Sequence, residues 1–260
     1  MKHPFLIGER LYLRPIEESD FPNYFDWLQD QETLKYQQHG LYPNTLANMK
    51  SYADSMSPGS ITNTYRENMY LAICIIETDE HIGNISFKIG SAAFRYSELS
   101  IMFGKKENRG KGYGTEAIRL MSDHAFRKVN VNRIQAGMMK DNIACVRAFE
   151  KAGFIHESNE RGACELYYTD GHFGDCIMMS KVKKDWLREQ RQKDIKECRR
   201  QFVEAYENYT DIALDLDRWR GKEPAPKTFQ GLNSPWPEPE TFKKRYGFDD
   251  NIEPDGKEVK

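Results

Sequence analysis

Arg109-Gly110-Lys111-Gly112-Tyr113-Gly114-Thr115-Glu116-Ala117 is the stretch on which the fold turns. Three glycines within five residues exclude a strand or a helix interior, where glycine costs about 0.5–1 kcal/mol relative to alanine. After it, Ala117, Ile118, Met121, Ala125 and Phe126 recur near the period of a helix. Before it, Glu98-Leu99-Ser100-Ile101-Met102-Phe103-Gly104 reads as a buried strand closed by glycine. Strand, glycine-rich turn and helix N-terminus together make an anion site. Unpaired N–H groups converge there, and the helix dipole adds about half a positive charge. Arg109 and Lys111 supply formal charge for a phosphate.

The spacing is neither G-x-x-x-x-G-K-[ST] nor G-x-G-x-x-G. It is R-x-x-G-x-G, carried by Arg109, Gly112 and Gly114. A second motif follows: Asn142-Ile143-Ala144-Cys145-Val146-Arg147-Ala148-Phe149-Glu150-Lys151-Ala152-Gly153-Phe154, an asparagine opening a short helix that ends in Gly-Phe. With both motifs in this order, the chain resembles the GNAT acetyltransferase superfamily over residues 8–183. The resemblance implies an α/β fold, a mixed twisted sheet with helices on both faces, and an acetyl-CoA-dependent N-acetyltransferase.

It also implies a set of site residues. Arg109, Gly110, Lys111, Gly112, Tyr113, Gly114 and Thr115 would hold the cofactor pyrophosphate. Ile101, Met102 and Phe103 fall on the strand that in GNAT proteins pairs with the pantetheine arm and offers an N–H to the thioester carbonyl. Phe103 reads equally as plain core. Asn142 contacts the same arm in the family while also capping its helix. Phe149 stands where many GNAT proteins have a tyrosine that protonates the departing thiolate, and phenylalanine cannot donate. Cys145 stands where related N-terminal acetyltransferases carry a serine; it reads as a weak proton donor or as packing. Tyr113, Tyr167 and Tyr168 are other donors within the chain, and His81, His124, His156 and His172 read as structural. Glu98 is the one acid of its strand. It reads as a partly desolvated general base, near the position of the catalytic glutamate in many GNAT proteins, or as a strand-end glutamate facing water.

For the acceptor, Trp27-Leu28-Gln29-Asp30, Gln37-Gln38-His39-Gly40, Pro43-Asn44-Thr45 and His81-Ile82-Gly83-Asn84-Ile85 resemble bacterial GNAT enzymes of nucleotide-linked amino sugars. Ribosomal-protein N-terminal acetyltransferases share much of this, so a peptide N-terminus stays open beside a small-molecule amine. A non-catalytic acetyl-CoA-binding scaffold is the third reading.

Lysines and arginines number 38 against 40 acids, for a formal charge of −2, which gives no basic face for nucleic acid. Five scattered cysteines without ligand spacing read as reduced thiols in a cytoplasmic protein, with no metal. No apolar window approaches membrane-spanning length.

Along the chain, the pattern predicts a strand at Leu11–Arg14 and a helix from Asp20, its cap, to Leu28. A second helix runs from Asn44 or Thr45 to Met56, and a hairpin spans Met69–Ile89. Strand Glu98–Phe103 and the helix after Gly114 come next, then strand Arg133–Met139 and helix Ile143–Ala152. A last hairpin joins Phe154 through Asp170-Gly171 to Ile177–Val182. Three segments follow: a GNAT domain over 1–183, a heptad-patterned helix over 184–221 and a proline-rich arm over 222–260. Ile195, Cys198, Phe202, Ala205, Tyr209, Ile212, Leu216 and Trp219 form the helix seam, which implies a homodimer through 185–220 or packing on the parent domain. Phe229, Trp236, Phe242, Tyr246 and Phe248 suit an arm lying on a surface, and a flexible tail stays open beside it.

Overall fold

The computed structural model describes residues 1–36, 45, 47, 68–91, 93–158, 166–167 and 173–219. The expected helix to Met56 and the C-terminal arm lie outside the described residues. The chain divides into two compact units, Met1–Lys193 and Asp194–Lys260.

The first unit is built on an eight-stranded sheet. Its strands are β1 (Leu6–Ile7), β2 (Leu11–Pro15), β3 (Asn68–Ile75), β4 (His81–Ser91), β5 (Tyr96–Phe103), β6 (Arg133–Met139), β7 (Ile155–Ser158) and β10 (Cys176–Val182). Two-residue strands β8 (Leu166–Tyr167) and β9 (Phe173–Gly174) pair separately. The sheet order is β1-β2-β3-β4-β5-β6-β10-β7. Every pairing in it is antiparallel except β5 with β6. The return strand β10 therefore inserts between β6 and β7. Hydrophobic pattern marks that strand, but only the packing decides which neighbours it joins.

Period-two alternation sorts the side chains onto two faces. Met69, Phe87 and Leu99, then Leu71, Ile85 and Ile101, lie opposite one another across β3, β4 and β5. They face α3 (Tyr113–His124) and α4 (Ile143–Lys151), which contribute Ile118, Met121 and Phe149 to the main core. On the other face, Met102 packs against Tyr24, Trp27, Leu28 and Leu34 of a second cluster. That cluster is carried by α1 (Phe21–Trp27), Leu28 just after it, and α2 (Gln31–Leu34). Helices thus cover both faces, as an α/β sheet requires.

Asp20 does not cap α1. Its carboxylate takes both guanidinium arms of Arg14, at 2.6 and 2.7 Å, and accepts from the Glu17 N–H. Arg14 is buried on β2, and a buried guanidinium left unpaired costs more than a missing cap. His81 joins this cluster, with Nδ1 3.4 Å from Asp20 and its ring centre 4.8 Å from that of Trp27. Together they pin α1 to the sheet. The four-residue α2, absent from the sequence expectation, is capped by Asp30, which accepts from Glu32 N–H and Thr33 N–H.

The long helix α5 runs from Lys183 to Trp219. Its first turns belong to the first unit. Trp186 is buried on Phe126, donates from Nε1 to Asp123 at 3.2 Å and lies under the Arg127 guanidinium. Lys181 Nζ links the Ala152 carbonyl at the end of α4 to Glu189 of α5. No helix among the described residues is long and apolar enough to cross a membrane.

Candidate active site

The parallel strands β5 and β6 separate. Their pairing holds for Tyr96 with Arg133, Ser97 with Ile134 and Glu98 with Gln135, and stops there. Beyond that rung, β5 stays with β4 as far as Phe103, while β6 stays with β10 as far as Met139. The result is a fork in the sheet. Its β5 edge carries the backbone of Leu99–Phe103, whose alternate residues turn N–H and C=O groups into the gap. The side chains of Ile101 and Phe103 pack against the main core and that of Met102 against the Trp27 cluster. These three residues accordingly present backbone, not side chain, to the fork.

At the open end of the fork the chain turns through the glycine-rich loop. Gly110 and Gly112 sit at φ +75° and +83°, the left-handed region where an L side chain is strained. A Cβ at Gly110 would have nothing within 4 Å, so the loop faces open space. A Cβ at Gly114 would meet Phe103 at 3.4 Å and Ala148 at 3.5 Å, ordinary van der Waals contact. The first hydrogen-bonded amide of α3 is that of Glu116, to Gly112 O at 3.2 Å. The amides of Gly112 to Thr115 therefore precede the helix ladder, as the first N–H groups of any helix do. Lys111 is exposed beside them. An amide-lined, open, cationic turn fits a pyrophosphate.

Arg109, expected as a phosphate ligand, is also held by the protein through one arm of its guanidinium. Its Nη2 donates to Thr33 Oγ1 at 2.8 Å and approaches the carbonyls of Phe103 and Gly104. Thr33 in turn donates to the Gly104 carbonyl at 2.9 Å. The buried hydroxyl and carbonyls need a donor, and Arg109 is the cation within reach. It ties α2 to the loop. Thr115 turns aside, its hydroxyl donating to Ala148 O at 3.4 Å. From the other side, Tyr36 OH donates to the Asp141 carbonyl at 3.3 Å, so the segment around α2 reaches both prongs of the fork.

Asn142 is the N-cap of α4, accepting from Cys145 N–H at 3.2 Å, and sits where β6 ends. Phe149 is 1% exposed and lies edge-to-face on Phe154. It has no surface for a ligand, which corrects its place among the cofactor contacts. Burial pushes the Cys145 thiol up to about 12. Its side chain packs against the main core, which keeps the thiol a weak acid. Glu98 is exposed at the root of the fork, on the face shared by Lys88 and Ser100. The burial expected of it is absent, because its side chain falls on the sheet face opposite the main core that takes Leu99.

The residue the sequence reading missed is Arg10, in the turn between β1 and β2. Its Nη1 donates to Lys111 O at 2.9 Å, its Nε donates to Glu116 Oε2 at 3.0 Å, and its guanidinium lies 5.0 Å from the Tyr113 ring centre. Glu116 Oε1 also accepts from the N–H groups of Arg10 and Leu11, at 2.8 and 3.0 Å. Nothing local in the sequence links positions 10 and 116. Of the other candidates, burial lowers the pKa of His81 and of His124, and His124 packs edge-on against Phe5. His156 pairs with Glu150. Tyr168 and His172 lie outside the described residues. Among the described residues there is no cluster of three or more metal-ligating side chains.

The family model for the Acetyltransferase (GNAT) domain matches residues 10–155. A probable N-acetyltransferase, YjcK, of Bacillus subtilis is 27% identical over 164 residues, covering 60% of this chain and 86% of the other. An N-acetyltransferase 9-like protein of Nematostella vectensis is 24% identical, covering 65% and 87%. Among solved structures, a spermidine N-acetyltransferase from Vibrio cholerae, in complex with CoA and spermine, superposes with a TM-score of 0.58. It is 18% identical and covers 68% of this chain and 98% of the other.

Proposed function

Because the chain belongs to the GNAT acetyltransferase family, we propose that this acyltransferase takes acetyl-CoA as its co-substrate and acetylates a primary amine by direct attack. The observation that carries the reading is the fork between β5 and β6 with the amide-lined loop at its open end. The amides of Gly112 to Thr115 and the charge of Lys111 would hold the pyrophosphate. The backbone of Ile101, Met102 and Phe103 would pair with the pantetheine arm and supply an N–H toward the oxyanion. Asn142 would contact the same arm with the half of its amide that the cap leaves over. Glu98, exposed at the root of the fork, would take the amine proton directly or through water.

For the acceptor, the reading is a small-molecule amine of the amino-sugar class, supported by the N-terminal resemblance. The likeness to a spermidine acetyltransferase brings polyamines into the same test. The later turns of α5 are read as a surface for a second copy of the chain, since Ile195 and Val203 are 47% and 42% exposed there.

The test is thiol release from acetyl-CoA against nucleotide-linked amino sugars, polyamines and peptides with free N-termini, with Glu98→Gln alongside. Turnover with amino sugars is expected, and a loss of roughly 10²–10⁴-fold in the variant, the usual range for a general base. Turnover with peptides alone would make the chain an N-terminal acetyltransferase. CoA binding with no thiol release from any class would leave a scaffold.

A further inference from the structure

We propose that Arg10 is a positioning residue for the cofactor loop, holding the Lys111–Gly112 peptide so that its N–H faces the bound pyrophosphate; the inference rests on the acetyl-CoA reading above. Among the described residues no peptide bond is cis, so the C=O and N–H of this one point in opposite directions. The guanidinium holds the Lys111 carbonyl on the side of the β1–β2 turn. The Gly112 N–H is thereby aimed away from Arg10, the orientation in which it would meet the pyrophosphate.

The constraint matters because the loop has little else to enforce it. Gly110 and Gly112 have no side chains to resist rotation, and a peptide between flexible residues turns over easily. Turned over, it would point a carbonyl dipole at a dianion instead of a donor. Arg10 is itself anchored. Its Nε is bound by Glu116, and Glu116 is fixed to the backbone amides of Arg10 and Leu11. The β1–β2 turn, the first turn of α3 and the loop are thus one clamped unit. Glu116 also sits in the first turn of α3, where a carboxylate is favoured by the helix dipole.

The experiment compares the full-length chain with Arg10→Met, which keeps a stem of similar length over Tyr113 but removes the donors. Dissociation constants are measured for CoA and for pantetheine, which lacks the pyrophosphate. The expected result is about a tenfold weakening toward CoA, equivalent to 1.4 kcal/mol, with pantetheine affinity changed less than twofold. In the free variant, the Gly112 amide resonance should broaden or double as the peptide samples two orientations. Equal weakening toward both ligands would mean that Arg10 only holds the fold, and undiminished CoA affinity would also overturn the proposal. A selective loss with an unchanged Gly112 resonance would replace positioning by direct phosphate contact. If Arg10→Met fails to fold, Arg10→Lys, which keeps the charge with one donor nitrogen, reads the same ratio. A wild-type chain that does not bind CoA would sink the parent reading instead.

Discussion

Replacing Gly112 by alanine isolates the backbone demand of the loop. At φ +83° and ψ 0° an L residue bears a left-handed penalty of roughly 1–2 kcal/mol. The added Cβ would lie 3.3 Å from Arg10 Nη2, the arm that binds neither Lys111 nor Glu116, and a shift of a few tenths of an ångström relieves the contact. Steric cost is therefore minor, and the strain is the whole effect. It can surface in two ways. If the loop keeps its shape, the folded state bears the strain, and Tm falls by about 2–4 °C per kcal/mol for a unit of this size. If the loop relaxes, Tm holds and CoA affinity falls by about 5–30-fold. Calorimetric binding and thermal melting of the same sample read both, and their sum is expected to be 1–2 kcal/mol. Asparagine tolerates the left-handed region, so Gly112→Asn should recover most of the loss with the same Cβ in place. The reasoning is refuted if alanine leaves both quantities unchanged, or if asparagine is as damaging as alanine.

Gly104→Ala would set a Cβ 2.0 Å from the Trp27 ring, which is buried and backed by His81. Overpacking of this kind costs about 1–3 kcal/mol, so denaturant unfolding should report a loss in that range, and an unchanged midpoint would show that Trp27 has room to retreat. The Arg133 guanidinium and the Ser180 hydroxyl, against an opposing push from burial, bring the Glu157 carboxyl down to about 2. A carboxyl depressed in the folded state contributes stability above its unfolded pKa and loses it as pH falls from about 4.5 toward 2. Both side chains are about a third exposed, so screening limits the effect to at most about 1 kcal/mol. Arg133→Met should flatten the pH dependence of urea stability in that window, and an identical slope in both proteins would remove the pair from the account. Light scattering of the full chain should give a dimer mass that Phe202→Glu with Leu216→Glu reduces to a monomer, whereas a monomeric parent at micromolar concentrations would end the self-association reading.

What the sequence determined is what depends on a few adjacent residues. Three closely spaced glycines exclude a strand or helix interior and mark a turn, and the structure uses the freedom at Gly110 and Gly112, which take left-handed backbone. An asparagine before an apolar helical pattern caps it, as Asn142 does. Strand β6 and helix α5 follow from hydrophobic periodicity, which is a property of the chain and not of its partners.

Tertiary structure decided the rest, because charges and strand edges choose partners by proximity in space. Asp20 reads locally as a cap, yet a buried guanidinium six residues earlier outbids one helix amide for its carboxylate. Arg109 reads as a phosphate ligand, yet α2 brings Thr33 to it across the sheet end. The Arg10–Glu116 clamp spans 106 positions, a separation at which no spacing rule operates. Glu98 ends exposed because the register of β5 on β4 turns Leu99 into the main core and Glu98 to the opposite face of the sheet.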